Sequence, residues 1–266
     1  MSVLDQFRLD DRVAIVTGAG RGLGRAMAHG LAEAGAHVVI ADILEDNAHR
    51  TAEEVRKLGK KSLALPVDVA SLQGAQEMAE AVRREFGRID ILVNNAGVVY
   101  RPEGDLPAAS IPTEKVSAEN WEFVIRVNLI GVFLCSQAVG KIMIEQKRGN
   151  IINIASMSAF VANLGRHNNA YCAAKAGVVM FTRQLAADWA EYGIRVNGIA
   201  PGYMKTEMGA RPLSDPKVKS LIETLTPMRR PGEPDEMKGL VVFLASDASS
   251  FITGQTILID GGYTLW

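Results

Sequence analysis

The feature that most constrains the fold lies between residues 12 and 42. Arg12-Val13-Ala14-Ile15-Val16-Thr17 is a short β-rich run, followed at once by Gly18-Ala19-Gly20-Arg21-Gly22-Leu23-Gly24. Leu23, Met27, Leu31 and Ala34 then recur at the three-and-four spacing of a helix, until Gly35. His37-Val38-Val39-Ile40-Ala41 reads as a second strand ending at Asp42. Strand, glycine turn, helix and strand in this order make a βαβ unit. Such a turn sets a helix N-terminus and several backbone N–H groups against one point with no Cβ in the way, which suits a pyrophosphate. Glycine turns also simply connect elements. Here the flanking strand and helix match, and Asp42 follows Gly24 by 18 residues, close to the ~20 expected of a carboxylate that holds an adenosine ribose. That carboxylate repels a 2′-phosphate, so Asp42 predicts NAD over NADP. Arg21, a basic residue inside the glycine loop, pulls the other way, but Asp42 is followed by Ile43 and not by an arginine.

The alternation continues along the chain. Residues 46–59 read as a helix, 62–67 as a third strand ending at Asp68, and 71–87 as a helix with Ser71 at its N-cap. Residues 89–93 are a fourth strand, ending in Asn94-Asn95-Ala96-Gly97. Residues 98–117, with Pro102, Pro107 and Pro112, form an irregular excursion, and loops of that length are usually functional or mobile. Ser117 caps a long helix in which Asn128 is an amide among Val124, Ile125, Leu129 and Val132. Residues 150–155 are a fifth strand running into Ser156-Met157-Ser158, and a polar loop with Asn163, Arg166, His167, Asn168 and Asn169 leads to the next helix. Residues 194–200 are a sixth strand closed by Pro201-Gly202, and 203–226 are a less regular candidate lid. A helix over 234–245 and a strand over 256–260 complete seven strands. With no linker, repeat or low-complexity tract, residues 1–266 read as one doubly wound α/β domain, a parallel sheet with helices on both faces. Ligands bind such a sheet at the C-terminal ends of its strands.

The helix after the polar loop carries Tyr171-Cys172-Ala173-Ala174-Lys175. Residues four apart share a helix face, about 5–6 Å apart at Cβ. A phenol near pKa 10 is a poor base at neutral pH, and an ammonium beside it favours the phenolate. Lowering a phenol to ~7 takes roughly 4 kcal/mol, which one charge ~4 Å away supplies at an effective dielectric of ~20. The pair is therefore a candidate acid–base couple. By itself so short a motif reads first as a helix with one buried tyrosine and one snorkelling lysine.

Composition mainly excludes. A net charge of −1 gives no reason to expect nucleic acid or an anionic membrane as partner. No stretch approaches 18 consecutive apolar residues, and the first residues lack the regions of a signal peptide, so a cytoplasmic protein is expected. Cys135 and Cys172 do not suggest a disulfide framework, and His29, His37, His49 and His167 lack metal-ligand spacing, so no metal is expected.

In sequence order, Thr17-Gly18-Ala19-Gly20-Arg21-Gly22-Leu23-Gly24, Asp68-Val69, Asn94-Asn95-Ala96-Gly97, Asn128, Ser156, Tyr171-Cys172-Ala173-Ala174-Lys175 and Pro201-Gly202 with Thr206 resemble the classical short-chain dehydrogenase/reductases. The resemblance covers nearly the whole chain and implies a Rossmann fold. It implies that Gly18, Gly22 and Gly24, with Arg21 and Leu23 between them, form the pyrophosphate turn and that Asp42 binds the adenosine ribose. Asp68 and Val69 would border the adenine, and Asn95 would help fix the nicotinamide-side ribose. Pro201, Gly202 and Thr206 would bind the cofactor too, with Thr206 at the carboxamide. Tyr171 would exchange the proton, Lys175 would lower its pKa and hold the ribose, Ser156 would polarise the substrate oxygen, and Asn128 would hold a relay water.

Two departures border the implied substrate pocket: a longer loop after Gly97, and a Ser156–Tyr171 interval two residues beyond the usual one. Counting back from Tyr171 lands on Ser158, whereas the context Asn153-Ile154-Ala155 lands on Ser156. Ser156 is expected to act, because the strand holds it in the ligand crevice and the loop absorbs two residues at little cost. If the strand continues, Ser158 lies about 6–7 Å further on, towards the far end of the substrate.

The resemblance implies hydride transfer between NAD and a small secondary alcohol or ketone. The polar loop 163–169, and the likeness of Pro201-Gly202-Tyr203-Met204-Lys205-Thr206 to stretches in polyol and sugar-acid dehydrogenases, point to a polyol or sugar-derived substrate. Asp42 counts against a 3-oxoacyl carrier-protein reductase using NADPH. The retained tyrosine and lysine count against a non-catalytic dinucleotide sensor. The helices 117–145 and 169–190 carry more apolar surface than one sheet face covers, and relatives commonly pair them, so a homotetramer is expected.

Overall fold

The computed structural model describes residues 2–100, 111–163 and 168–266. In chain order it contains β1 (Val13–Thr17), α1 (Gly22–Glu33), β2 (His37–Asp42), α2 (Glu45–Lys57), β3 (Ser62–Pro66), α3 (Leu72–Phe86) and β4 (Ile91–Asn94). Then come α4 (Ala118–Ile125), α5 (Gly131–Gln146), β5 (Gly149–Ile154), α6 (Asn169–Trp189), β6 (Ile194–Pro201), α7 (Glu207–Ser214), α8 (Pro216–Leu225), α9 (Met237–Ala245) and β7 (Thr256–Ile259). The strands form one seven-stranded sheet in the order β3-β2-β1-β4-β5-β6-β7, and every neighbouring pair is parallel. The chain winds outward from β1 to β3, then returns beside β1 and winds the other way. The reversal opens a crevice at the C-terminal ends of β1 and β4.

Both faces of the sheet are covered, so its strands read as continuous apolar runs. Ala14, Val16, Val38, Ile40, Ile91, Val93 and Ile152 pack with residues of α1, α2 and α9. Val13, Ile15, Val39, Leu92, Ile151 and Val196 pack on the other face with α3, α5 and α6. Alternate residues of one strand thus enter opposite cores, the two-residue period of a pleated strand.

Three segments differ from the sequence expectation. The candidate lid 203–226 contains two short helices. Thr206 caps α7 by accepting from Gly209 N, and Asp215 caps α8 with a proline at its start. Prolines at 212 and 216 had masked any periodicity there. The long helix after Ser117 is not uniform: a π-turn over Arg126–Ile130 separates α4 from α5 and carries Asn128. The combined stretch Ala118–Gln146 is long and apolar enough by composition to cross a membrane, yet 56% of its most apolar window is buried in the fold, as in a core helix. The chain also does not stay extended after β5, because Met157–Ala159 form a 3₁₀ turn. The centre of the excursion 98–117, with Pro102 and Pro107, lies outside the described residues, as do Arg166 and His167 of the polar loop.

Candidate active site

The site begins at the glycine turn. Gly18 adopts φ +62°, and a Cβ on Gly24 would lie 2.3 Å from Gly18 O, so α1 approaches β1 closely only because residue 24 has no side chain. Thr17, quoted in the motif but given no role, holds this turn. Its Oγ1 accepts from Asn95 N at 3.0 Å and from Ala96 N at 3.1 Å. Asn95 Nδ2 donates to Thr17 O and Gly18 O at 2.9 and 3.0 Å. Asn95 thus braces the turn from the end of β4. At the start of α1, Arg21 occupies the N-cap without a side-chain capping bond, and the first turn has no acid. Ser71, Ser117, Thr206 and Asp215 cap their own helices, whereas α2 and α6, like α1, start without a side-chain cap. An uncapped N-terminus on a glycine turn fits a pyrophosphate. Leu23 packs into the core beside α9, Arg21 is exposed, and a Cβ on Gly22 would face Thr206 Cγ2 at 3.6 Å.

At the end of β2, Asp42 is buried to 8% exposure. Its Oδ2 accepts from Gly20 N at 2.8 Å and its Oδ1 from Leu44 N at 2.9 Å. Two backbone donors therefore lock the carboxylate against the glycine turn. Thr51, which no sequence motif flagged, donates to Gly20 O from α2 at 3.3 Å. Asp68 is exposed at the end of β3 and accepts from Ala70 N at 2.9 Å, while Val69 is buried. Across the crevice, Pro201 ends β6, Gly202 N donates to Ile259 O at 3.0 Å, and Thr206 follows at the cap of α7.

Two of the residues expected to react lie at the C-terminal end of β5, where Ser156 follows the strand and Lys175 reaches its last residue. Ser156 is buried, and its Oγ accepts from Ser158 N at 3.1 Å. Lys175 is buried, lies 5.7 Å from the Tyr171 ring centroid, and donates from Nζ to Ile154 O at 2.7 Å. Burial pushes the Lys175 ammonium down to about 8, so it keeps its charge at neutral pH. The folded value lies below the unfolded one of ~10.4. The burial penalty is therefore complete below about 8 and is relieved as pH rises from there to the unfolded value.

Asn128 is fully buried. Its Nδ2 donates to Val98 O at 2.7 Å and Val124 O at 2.8 Å, and its Oδ1 accepts from Val98 N at 3.2 Å. The π-turn aims this amide at the segment after β4. A methyl on Gly97 would lie 2.7 Å from Asn128 Oδ1 and 3.6 Å from Lys175 Nζ, so both groups flank the same glycine. A buried polar ladder holds the strand ends. Asn94 Nδ2 reaches Ser136 Oγ at 3.0 Å and Asn153 Oδ1 at 2.9 Å, and Asn153 Nδ2 reaches Thr182 Oγ1 at 2.9 Å. The ladder ties β4 and β5 to α5 and α6. Sequence reasoning passed over it because each residue is a common one in its element and its partners are distant in the chain.

An open groove of about 560 Å³ lies beside these residues, lined by Thr113, Ser158, Phe160, Asn163, Asn168 and Cys172 among others. Neither Tyr171 nor Lys175 lines it, because Cys172, Ala173 and Ala176 sit on a different flank of α6. Cys135 and Cys172 are free, and burial pushes the Cys135 thiol up to about 12, which leaves it unreactive. Among the described residues no three His, Cys, Asp or Glu side chains are grouped to hold a metal.

A braced glycine turn, together with a buried lysine beside a half-buried tyrosine and a serine after β5, suits an oxidoreductase site. Comparison with known proteins agrees. Residues 18–264 match the family model described as enoyl-(acyl carrier protein) reductase. D-threitol dehydrogenase of Mycolicibacterium smegmatis is 43% identical over 265 residues, covering 100% of this chain and 97% of that one. A short-chain type dehydrogenase/reductase from Mycobacterium marinum superimposes with a TM-score of 0.92 at 38% identity, over 99% of both chains. A gluconate 5-dehydrogenase from Burkholderia cenocepacia, solved in complex with NADP and tartrate, does so with a TM-score of 0.92 at 41% identity, over 100% of both. The chain belongs to the short-chain dehydrogenase/reductase family. It is an oxidoreductase that acts on a CH–OH group of a small molecule, or on the matching carbonyl, with a nicotinamide dinucleotide.

Proposed function

We propose that the protein is an NAD-dependent dehydrogenase of a polyol or sugar-derived secondary alcohol, with Tyr171, Lys175, Ser156 and Asn128 as its catalytic set. The observation that carries this is the meeting of Ser156 and the Tyr171–Lys175 pair at the end of β5, in a fold whose crevice opens beside the uncapped start of α1. The dinucleotide supplies the hydride acceptor or donor. Gly18, Gly22, Gly24 and Asp42 would hold its adenosine half. Asp68 and Val69 would border the adenine, and Asn95, Pro201, Gly202, Thr206 and Lys175 would hold the other half.

The protein's own groups handle the proton. Tyr171 takes it from the alcohol during oxidation and returns it to the carbonyl oxygen during reduction. The Lys175 ammonium, fixed on Ile154 O, keeps positive charge beside the phenol and favours its ionised form. Ser156 Oγ already accepts from Ser158 N, which leaves its O–H to donate to the substrate oxygen. Asn128 has both amide hydrogens on backbone carbonyls, so it offers a relay water acceptor atoms alone. The substrate class follows from the threitol and gluconate dehydrogenases that this chain resembles. A panel of polyols, aldonates, simple secondary alcohols and hydroxyacyl thioesters, run with NAD and with NADP, tests it. Preference for the thioesters would transfer the protein to the carrier-protein reductases.

The cofactor preference rests on this chain's own Asp42, since the Burkholderia neighbour was solved with NADP. The carboxylate is held by Gly20 N and Leu44 N and cannot swing away from a 2′-phosphate without breaking both bonds. The kcat/KM ratio is expected to favour NAD by roughly tenfold or more, about 1.4 kcal/mol. Asp42→Ala is expected to narrow or reverse that ratio. A wild-type preference for NADP would refute this assignment and point to Arg21.

Assembly is proposed from exposed apolar side chains. Trp121, Ile130, Phe133 and Met180 are 38%, 38%, 43% and 58% exposed on α4, the π-turn, α5 and α6. Pairing of these helices across two-fold axes covers them in a homotetramer. Light scattering at micromolar concentration is expected to give four times the chain mass of 28.7 kDa, and a stable monomer would rule the assembly out.

A further inference from the structure

Both halves of the catalytic set converge on one buried carboxamide to which the family roles assign nothing. Asn163 is 8% exposed. Its Nδ2 donates to Ser158 Oγ at 2.9 Å and to Asn168 Oδ1 at 3.3 Å, with Cys172 Sγ at 3.6 Å. Each contact leads to a reacting group. Ser158 donates its backbone N–H to Ser156 Oγ at 3.1 Å. Asn168 is the N-cap residue of α6, its carbonyl accepts from Cys172 N at 3.0 Å, and Cys172 directly follows Tyr171. One side chain thus ties the turn that bears Ser156 to the helix start that bears Tyr171. Asn163 Oδ1 is buried with no hydrogen-bond partner among the described residues, a cost that the donor bonds of the same amide offset.

We propose that Asn163 is a positioning residue for the reaction, setting the Ser156 hydroxyl relative to the Tyr171 phenol. The proposal rests on the function above, in which both groups act on one substrate oxygen. Without the Nδ2 donor, the 3₁₀ turn Met157–Ala159 loses its tie to α6, and Ser156 Oγ shifts with the N–H that holds it. Small misplacements of reacting groups cost up to about a hundredfold in rate. Dinucleotide binding is expected to be untouched, because Asp42 and the glycine turn are held by separate bonds at β1 and β2.

The test is a double-mutant cycle on the full-length protein, with the polyol that the panel identifies as substrate. Asn163→Ala is expected to lower kcat about 10–100-fold, with NAD Kd, read by fluorescence titration, within about twofold of wild type. In the Ser156→Ala background the same change is expected to cost less than about twofold, since a residue acting through Ser156 has nothing left to position. Equal fold losses in both backgrounds, or no loss in the single variant, would overturn the proposal. Asn163→Leu keeps approximate size and burial but can neither donate to nor accept from Ser158 Oγ. It is expected to lose kcat similarly, and wild-type kcat there would also overturn the proposal, even if the alanine variant fails to fold. A wild-type protein that oxidises no secondary alcohol is a separate result, seen before any variant is made, and it would remove the function and the positioning role together.

Discussion

Tyr171→Phe is expected to abolish turnover and leave the dinucleotide bound. Phenylalanine keeps the ring that packs near the Lys175 ammonium, so the helix face and its charge survive. The phenol proposed to exchange the proton is lost, and its neighbours offer no ready substitute. Serine hydroxyls do not act as bases unaided, and Lys175 is held on Ile154 O. General acid–base groups contribute about 10²–10⁴-fold, and the loss here is expected at the upper end of that range. Single-turnover and steady-state rates measure it, and NAD fluorescence titration checks that binding persists. Substantial turnover in this variant would move the proton-transfer role to another group.

Ser156→Ala is expected to lower kcat by roughly 10²–10³, the usual loss for a donor that stabilises charge on a reacting oxygen. Ser156 is the last buried position before the chain turns, and Ser158 N occupies its acceptor side. Ser158 is also buried, but its hydroxyl accepts from Asn163 instead of lying further along an extended strand. The sequence-based expectation that Ser158 meets the far end of the substrate assumed a strand continuing past residue 156. The 3₁₀ turn at Met157–Ala159 removes that premise. Ser158→Ala is therefore expected to lower kcat towards the loss in Asn163→Ala, about tenfold or more, because it removes the hydroxyl that Asn163 holds, yet to stay short of Ser156→Ala because the backbone N–H on Ser156 remains. A Ser158 variant that loses more than the Ser156 variant would exchange their roles.

Much of the molecule is legible in the chain itself. A strand, glycine turn and helix are local, and their alternation over seven strands permits few architectures, because parallel strands need crossovers and both sheet faces must be buried. Tyr171 and Lys175 share a face by helical spacing alone, and Asp42 ends its strand where the count from Gly24 places it. What the tertiary structure decided is which distant groups meet. The order that sets β4 beside β1 brings Asn95 onto the Thr17–Gly18 turn. The π-turn at Arg126–Ile130 buries Asn128 and gives its amide three backbone hydrogen bonds. The Asn94–Asn153–Thr182 ladder and the Asn163 tie between Ser158 and Asn168 leave no periodic trace. Periodicity reports which face of an element is apolar. A hydrogen bond between buried amides depends on the partner that packing delivers, and only the closed fold specifies it.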